Sequence, residues 1–225
     1  MIVYLHGFLG CRSDWDFFCQ TLPGPHLPLI LPEPLPKDPV AALLSKISKP
    51  VTLIGYSLGG RLALNFAHRF PHLIEKLIIL SANPGITDPK ERKKRRAWEQ
   101  SWCDIIDQEG FEMFLEKWYA QDLFKQLRCH PTFHAVLEKR KKHHKEAVKE
   151  QFLRLSPAVL PPLWEAIPHF SFPTLFLFGE HDVKYHLIHH KLEKLKMQTK
   201  MIPNSGHAIH LENPRGCIDI IKRFL

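Results

Sequence analysis

The chain has 225 residues, 44% of them hydrophobic, and a formal net charge of +8 from 31 Lys and Arg against 23 Asp and Glu. That length supports one well-buried core with room for an insertion, and no apolar run approaches the ~20 residues of a membrane span. Its five cysteines, Cys11, Cys19, Cys103, Cys129 and Cys217, are odd in number and never spaced as Cys-x-x-Cys, which speaks against a disulfide framework or a zinc site and for a reducing cytoplasm.

In chain order, Ile2–Leu5 reads as a buried strand that starts without the basic segment and cleavage site of a secretory signal. Leu22–Pro39 is proline-rich and reads as a loop, with a short strand near Leu29–Leu31. Val51–Ile54 is a second buried strand, and Leu58–Phe70 follows as an amphipathic helix carried by Leu62, Ala63, Phe66 and Ala67. Leu77–Leu80 is a third strand. From about Pro84 to Pro168 no strand is apparent, and Arg92–Asp107, Gly110–Tyr119 and Thr132–Leu155 read as charged helices. Thr174–Phe178 and Lys200–Ile202 are further strands, and Gly216–Leu225 is a closing helix. Strands alternating with helices predict a doubly wound, mostly parallel α/β sheet with helices on both faces. The predicted core covers residues 1–83 and 168–225. Residues 84–167 form a helical cap inserted at the carboxyl edge of the sheet, where such proteins bind ligands.

The chemistry concentrates at four places. Gly55-Tyr-Ser-Leu-Gly-Gly60 follows a strand and has the Gly-x-Ser-x-Gly pattern of a nucleophile elbow, which exposes Ser57 on a tight turn and aims the Leu58 N–H at its target. His6-Gly-Phe-Leu-Gly10 follows the first strand and supplies a second N–H, from Phe8. Gly179-Glu-His-Asp182 ends the fourth long strand, and Asn204-Ser-Gly-His207 follows the fifth. A serine hydroxyl needs a base at neutral pH, His207 can be that base, and Asp182 can fix its tautomer. Glu180, His181 and His210 are neighbouring alternatives, and His6 reads as a structural donor. The order Ser57, Asp182, His207 is that of α/β-hydrolases.

The basic runs Lys90–Arg96 and Lys139–Lys145 lack interleaved aromatics and a nucleic-acid motif. A solvated helix face and a site for a small polyanionic substrate are the two other readings; neither involves nucleic acid or a membrane.

On these residues the chain resembles the α/β-hydrolase superfamily along nearly its whole length. More narrowly it resembles the menaquinone-pathway family of 2-succinyl-6-hydroxy-2,4-cyclohexadiene-1-carboxylate synthases. The narrower resemblance rests on Arg61, four residues after Ser57; on Asn83-Pro-Gly-Ile86 running into an arginine-rich helix; and on Phe114-Leu-Glu-Lys-Trp-Tyr-Ala-Gln-Asp-Leu-Phe124, close to the family's W-Y-x-Q-P-x-F signature. Asp122 replaces the signature proline, and Leu31–Lys37 lacks the family's Asp-x-Pro-Gly-His-Gly.

The resemblance implies a lyase that needs no cofactor and no metal. Its substrate is a cyclohexene bearing a ring carboxylate, a ring hydroxyl, a succinyl ketone and an enolpyruvyl ether, three carboxylates in all. Loss of a ring proton beside the ketone expels pyruvate. The resemblance places Arg61, Arg95 and Arg140 on substrate carboxylates, with Arg92 or Arg96 as register alternatives to Arg95, and lines the pocket with Tyr56, Trp118 and Tyr119. Two other readings stay open, a serine carboxylesterase or thioesterase using the same triad and a non-catalytic binding module on the scaffold.

Overall fold

The computed structural model describes the whole chain, residues 1–225. Its centre is a six-stranded, wholly parallel sheet of β1 (Ile2–Leu5), β2 (His26–Leu29), β3 (Val51–Tyr56), β4 (Ile74–Leu80), β5 (Thr174–Gly179) and β6 (Gln198–Ile202), in the order β2-β1-β3-β4-β5-β6. The strand near residue 29 starts three residues earlier than expected, at His26. Pro28 lies within it, which an edge strand tolerates because the missing N–H need not enter a ladder. β4 and β6 are longer than their expected apolar runs; apart from the buried Ile74, the added residues, Glu75, Lys76, Gln198 and Thr199, are polar and partly solvated.

Alternate residues of each strand feed two cores. Val3, Leu5, Leu53, Ile79, Phe176 and Phe178 face α2 (Leu58–Arg69) and α8 (Val183–Lys194). Ile2, Tyr4, Ile54, Ile78, Leu80 and Leu177 face α1 (Asp16–Thr21) and α10 (Pro214–Phe224). The two clusters hold 30 and 29 buried residues, so both sheet faces are covered, as an all-parallel sheet requires. No helix is long and apolar enough to cross a membrane.

Between β4 and β5 lie only helices: α3 (Pro89–Glu109), α4 (Phe111–Ala120), α5 (Lys125–Cys129), α6 (Phe133–Arg140) and α7 (Lys145–Arg154). Asp88 starts α3 by accepting from the Lys90 and Glu91 N–H groups, with Pro89 in the first turn. The stretch Thr132–Leu155 is two helices, not one. It breaks after Arg140, where a run of cationic and imidazole side chains leaves the helix and His143 turns inward to donate from Nε2 to the Leu9 carbonyl at 2.9 Å. A ninth helix, α9 (Ile209–Glu212), is a single turn before α10.

The chain leaves β1 towards β2 and returns to β3 on the other side of β1. The strand order therefore reverses between β1 and β3, and the crevice at their carboxyl ends is where this class of sheet receives ligands. The loops that carry Phe8 and Ser57 leave those two ends.

Candidate active site

Ser57 sits at the turn from β3 to α2 with φ 50° and ψ −107°, a left-handed backbone that costs a non-glycine residue about 1–3 kcal/mol. Two glycines permit the turn. A Cβ on Gly59 would overlap the Leu5 and His6 carbonyl oxygens, and one on Gly55 would lie 2.6 Å from the Gly59 oxygen. The Ser57 N–H donates to Leu80 O at 2.8 Å, so the elbow stays fastened to β4 beyond the end of its own strand.

Two loops bring the acid and the base to it. The Glu180 N–H donates to Ile202 O (3.0 Å) and the His181 N–H to Ser205 O (2.8 Å), while Glu180 Oε2 accepts from the Asn204 N–H (2.9 Å), tying the loop after β5 to the loop after β6. Glu212 accepts from the Gly206 and Ala208 N–H groups on either side of His207. Burial raises the Glu212 carboxyl above its ordinary range. The result is a connected triad. Asp182 Oδ2 lies 2.7 Å from His207 Nδ1, and His207 Nε2 lies 3.1 Å from Ser57 Oγ. A carboxylate only accepts, so Nδ1 carries the proton and Nε2 is free to accept from the serine hydroxyl. Both partners are almost wholly buried, with side chains 3% and 1% exposed.

Glu180 and His181 stand beside Asp182 among the site residues, whereas the other two competitors are placed elsewhere. His210 is stacked between Tyr56 (4.1 Å between ring centres) and Trp15 (5.1 Å), away from Ser57 Oγ, and burial lowers its pKa to about 3. His6 is a structural residue: its Nε2 accepts from the Leu31 N–H and its Nδ1 donates to Gly7 O at 2.8 Å. Burial lowers its pKa to about 4.

A cavity of about 880 Å³ opens over Ser57. Phe8, Tyr56, Leu58, Arg61, Arg95, Trp118, Asp182 and His207 line it, so most of the residues expected at the site meet there. Leu58 is the first residue of α2 and has no earlier helical carbonyl to donate to, and the Phe8 N–H has no backbone partner either. The Phe8 ring packs 4.3 Å from Phe152 and 5.0 Å from Trp118, joining the first loop to α7 and α4.

The arginines divide. Arg61, 8% exposed, donates from Nε and Nη2 to Leu155 O and has no carboxylate partner. Burial lowers its pKa to about 10, which leaves it charged at neutral pH. Arg95 lies on the cavity wall with Nε donating to Glu99 at 2.7 Å and its guanidinium 4.4 Å above Trp98. Arg92 and Arg96 instead point to backbone carbonyls of Ile86, Val159 and Ala158.

Two expectations are corrected. Arg140 is 3% exposed and does not reach the cavity; its Nη2 donates to Asp14 at 2.7 Å and its Nη1 to Cys11 Sγ at 3.4 Å. Burial works against the Asp14 charge, but Arg140 beside it holds the carboxyl below its usual range. Enclosed and already paired with Asp14, Arg140 is out of reach of a substrate carboxylate, and here it ties α6 to the loop after β1. Tyr119 faces a second cavity of about 570 Å³ between α4 and α6, because its neighbour Trp118 takes the position facing Ser57.

Two wall residues had no signal in the sequence reading. Lys184, in the first turn of α8 and two residues past Asp182, is exposed at the rim and has no hydrogen-bonded or ion-pair partner; partial desolvation by the cavity wall, with Arg95 nearby, lowers its pKa. Gln151 projects from α7 with its side chain unpaired.

The sequence matches the Alpha/beta hydrolase family over residues 2–220. It is 32% identical over 238 residues to the 2-succinyl-6-hydroxy-2,4-cyclohexadiene-1-carboxylate synthase of Enterobacter sp. (strain 638), covering 100% of this chain and 91% of that protein. It is 31% identical over 258 residues to the chloroplastic protein PHYLLO of Arabidopsis thaliana, covering 99% of this chain, which spans only 15% of PHYLLO's length. The fold superposes on the structure of MenH from S. aureus with a TM-score of 0.91 at 27% identity, over 100% of this chain and 92% of the other.

Proposed function

The chain belongs to the alpha/beta hydrolase family and, within it, to the 2-succinyl-6-hydroxy-2,4-cyclohexadiene-1-carboxylate synthases, and from that premise we propose how its residues perform the family's reaction. It is a lyase of menaquinone biosynthesis. It removes pyruvate from 2-succinyl-5-enolpyruvyl-6-hydroxy-3-cyclohexene-1-carboxylate.

Ser57 Oγ, deprotonated towards His207 Nε2, takes the ring proton beside the succinyl ketone. The electron pair moves onto the ketone oxygen, where the Phe8 and Leu58 N–H groups meet the developing charge; each such donor is typically worth about 3 kcal/mol. Collapse of the enolate makes a new ring double bond at the deprotonated carbon, shifts the existing ring double bond by one position towards the ether carbon, and so breaks that carbon's bond to the enolpyruvyl oxygen. The departing enolate of pyruvate takes up a proton, for which His207 is the donor. Asp182 keeps His207 in the required tautomer and offsets its charge. Arg61 and Lys184 meet carboxylates, Arg95 sets the far wall with Glu99, and Trp118 and Tyr56 enclose the ring. Residues 84–167 act as the cap over this chemistry. The substrate is a small polyanion, and the absence of paired cysteines in the sequence supports a reducing cytoplasm as the place of action.

The observation that carries this reading is Arg61, a buried cation without a carboxylate partner, one helical turn from Ser57. A site built for a neutral ester has no use for such a charge, because burying it is costly unless a ligand anion arrives. The 3.1 Å contact between Ser57 and His207 suits acyl transfer equally well, so an esterase or thioesterase is the second reading. The test is pyruvate release from the enolpyruvyl substrate beside p-nitrophenyl ester turnover and fluorophosphonate labelling. Fast ester turnover with no pyruvate would overturn the lyase.

A further inference from the structure

Outside the wall of the reaction cavity, the later part of α8 gathers a second group of polar side chains. His189, His190 and Glu193 stand there together, and one donor atom from each lies within 4.8 Å of the other two. Spacings of three and four residues bring Glu193 beside both imidazoles on the helix surface. Its Oε2 lies 3.0 Å from His190 Nδ1 and 3.5 Å from His189 Nδ1. A tetrahedral zinc ion with bonds of about 2.0–2.1 Å keeps its ligands about 3.3–3.4 Å apart. The carboxylate oxygen therefore already stands near ligand spacing from both nitrogens.

His189 has the setting of a ligand. Its side chain is 11% exposed against 66% for His190 and 49% for Glu193, so an ion here has one sheltered side and one open to water. His189 Nε2 lies 3.2 Å from Thr199 Oγ1 on β6. With Thr199 accepting the Nε2 proton, Nδ1 turns a lone pair towards the Glu193 carboxylate, an arrangement that a cation between them makes favourable. Ligand imidazoles are commonly oriented in this way, the far nitrogen donating to a fixed acceptor. Burial lowers the His189 pKa, and His190 and His186 act in the same direction against Glu193, so the ring is neutral at neutral pH, as a ligand must be. His186 is committed elsewhere, its Nε2 donating to Glu180 O at 2.9 Å.

We infer that His189 Nδ1, His190 Nδ1 and Glu193 Oε2 form a structural site for Zn²⁺, with water completing the coordination. Two imidazoles and one carboxylate suit this ion, whereas Mg²⁺ and Ca²⁺ take oxygen ligands. The ion has no part in the reaction. Through His189 and Thr199 it fastens α8, the helix that follows Asp182, against β6. The site does not depend on the lyase reading.

The test is calorimetric titration of the chelator-treated full chain with Zn²⁺ at about pH 7.5. One equivalent should bind with a Kd of micromolar order, and Mg²⁺ should not bind. At a tenfold excess over Kd, Zn²⁺ should raise the melting temperature by about 3–6 °C. Glu193→Gln and His189→Asn should each weaken binding at least about tenfold and remove that shift. Glu193 is exposed, so Glu193→Gln keeps the test decisive even if His189→Asn folds poorly. Affinity should fall severalfold between about pH 7.5 and about pH 6, because protons compete for the imidazoles. His207→Asn should keep the equivalent, since the catalytic histidine is not a ligand. Wild-type binding weaker than about 100 µM, equal binding by wild type and Glu193→Gln, or loss of binding in His207→Asn would each overturn the inference.

Discussion

The Leu155 carbonyl accepts from two atoms of Arg61 at once, Nε at 3.3 Å and Nη2 at 3.1 Å. The end of α7 thus holds a cation that belongs to α2 and aims its remaining N–H groups at the cavity. Arg61→Met should lower kcat/KM for pyruvate release about 10- to 100-fold, mainly through KM, since hydrogen bonds to a charged group contribute about 1.5–3 kcal/mol. Arg61→Lys should recover part of this. Steady-state kinetics decide the matter, and an unchanged KM in Arg61→Met would remove Arg61 from the site.

Lys184 stands at the solvent side of the cavity, so its charge should act more on capture than on the bound state. Lys184→Gln should raise KM severalfold and flatten the fall of kcat/KM with ionic strength, as for rim charges that steer association. A salt series on both proteins measures it, and parallel salt curves would count against the role.

Asp182→Asn leaves the shape of the triad but lets His207 adopt the wrong tautomer. It should cost about 10³–10⁴ in kcat with little change in melting temperature. A loss below about tenfold would mean that Ser57 works without the buried pair of Asp182 and His207.

Arg140→Met provides the contrast. It leaves Asp14 buried without its partner, and breaking a buried pair costs about 3–5 kcal/mol of stability. KM for the substrate should barely move, because Arg140 has no cavity surface. Denaturant unfolding and kinetics on the same preparation separate this outcome from that of Arg61→Met.

The triad and fold are legible in the sequence because each of their residues follows a strand end, and a strand end has one place to go in a doubly wound sheet. Ser57, Asp182 and His207 meet for that reason although 150 residues separate the first from the last. The helices between β4 and β5 carry no such constraint. Their rotation about their own axes decides whether Trp118 or Tyr119 faces the substrate, and a basic run cannot reveal that Arg140 pairs with Asp14, 126 positions earlier. Lys184 and Gln151 escaped notice because their meaning lies in lacking a partner, and a sequence does not display unpaired groups.

Acid should unfold the protein through two histidines outside the reaction. Burial lowers His6 from 6.5 to about 4 and His210 from 6.5 to about 3. His6 faces Asp14, Arg140 and His143, and His210 faces Asp14, Arg140 and His207. Both stay neutral in the fold at a pH where the unfolded chain takes up protons. Stability should therefore be full above about pH 6.5 and fall by a few kcal/mol towards about pH 4. His210→Phe, which keeps a ring between Tyr56 and Trp15, should move the acid midpoint to lower pH. An unshifted midpoint would assign acid sensitivity to other groups.

The reacting atoms are borne by β1, β3, β5 and β6, whereas much of the wall that meets the substrate comes from the helices between β4 and β5. Mutations in those helices can retune what the protein accepts while the ladder that spaces Ser57 from His207 stays intact. Preference and reactivity can thus drift separately over generations, with the sheet conserving the one while the inserted helices explore the other.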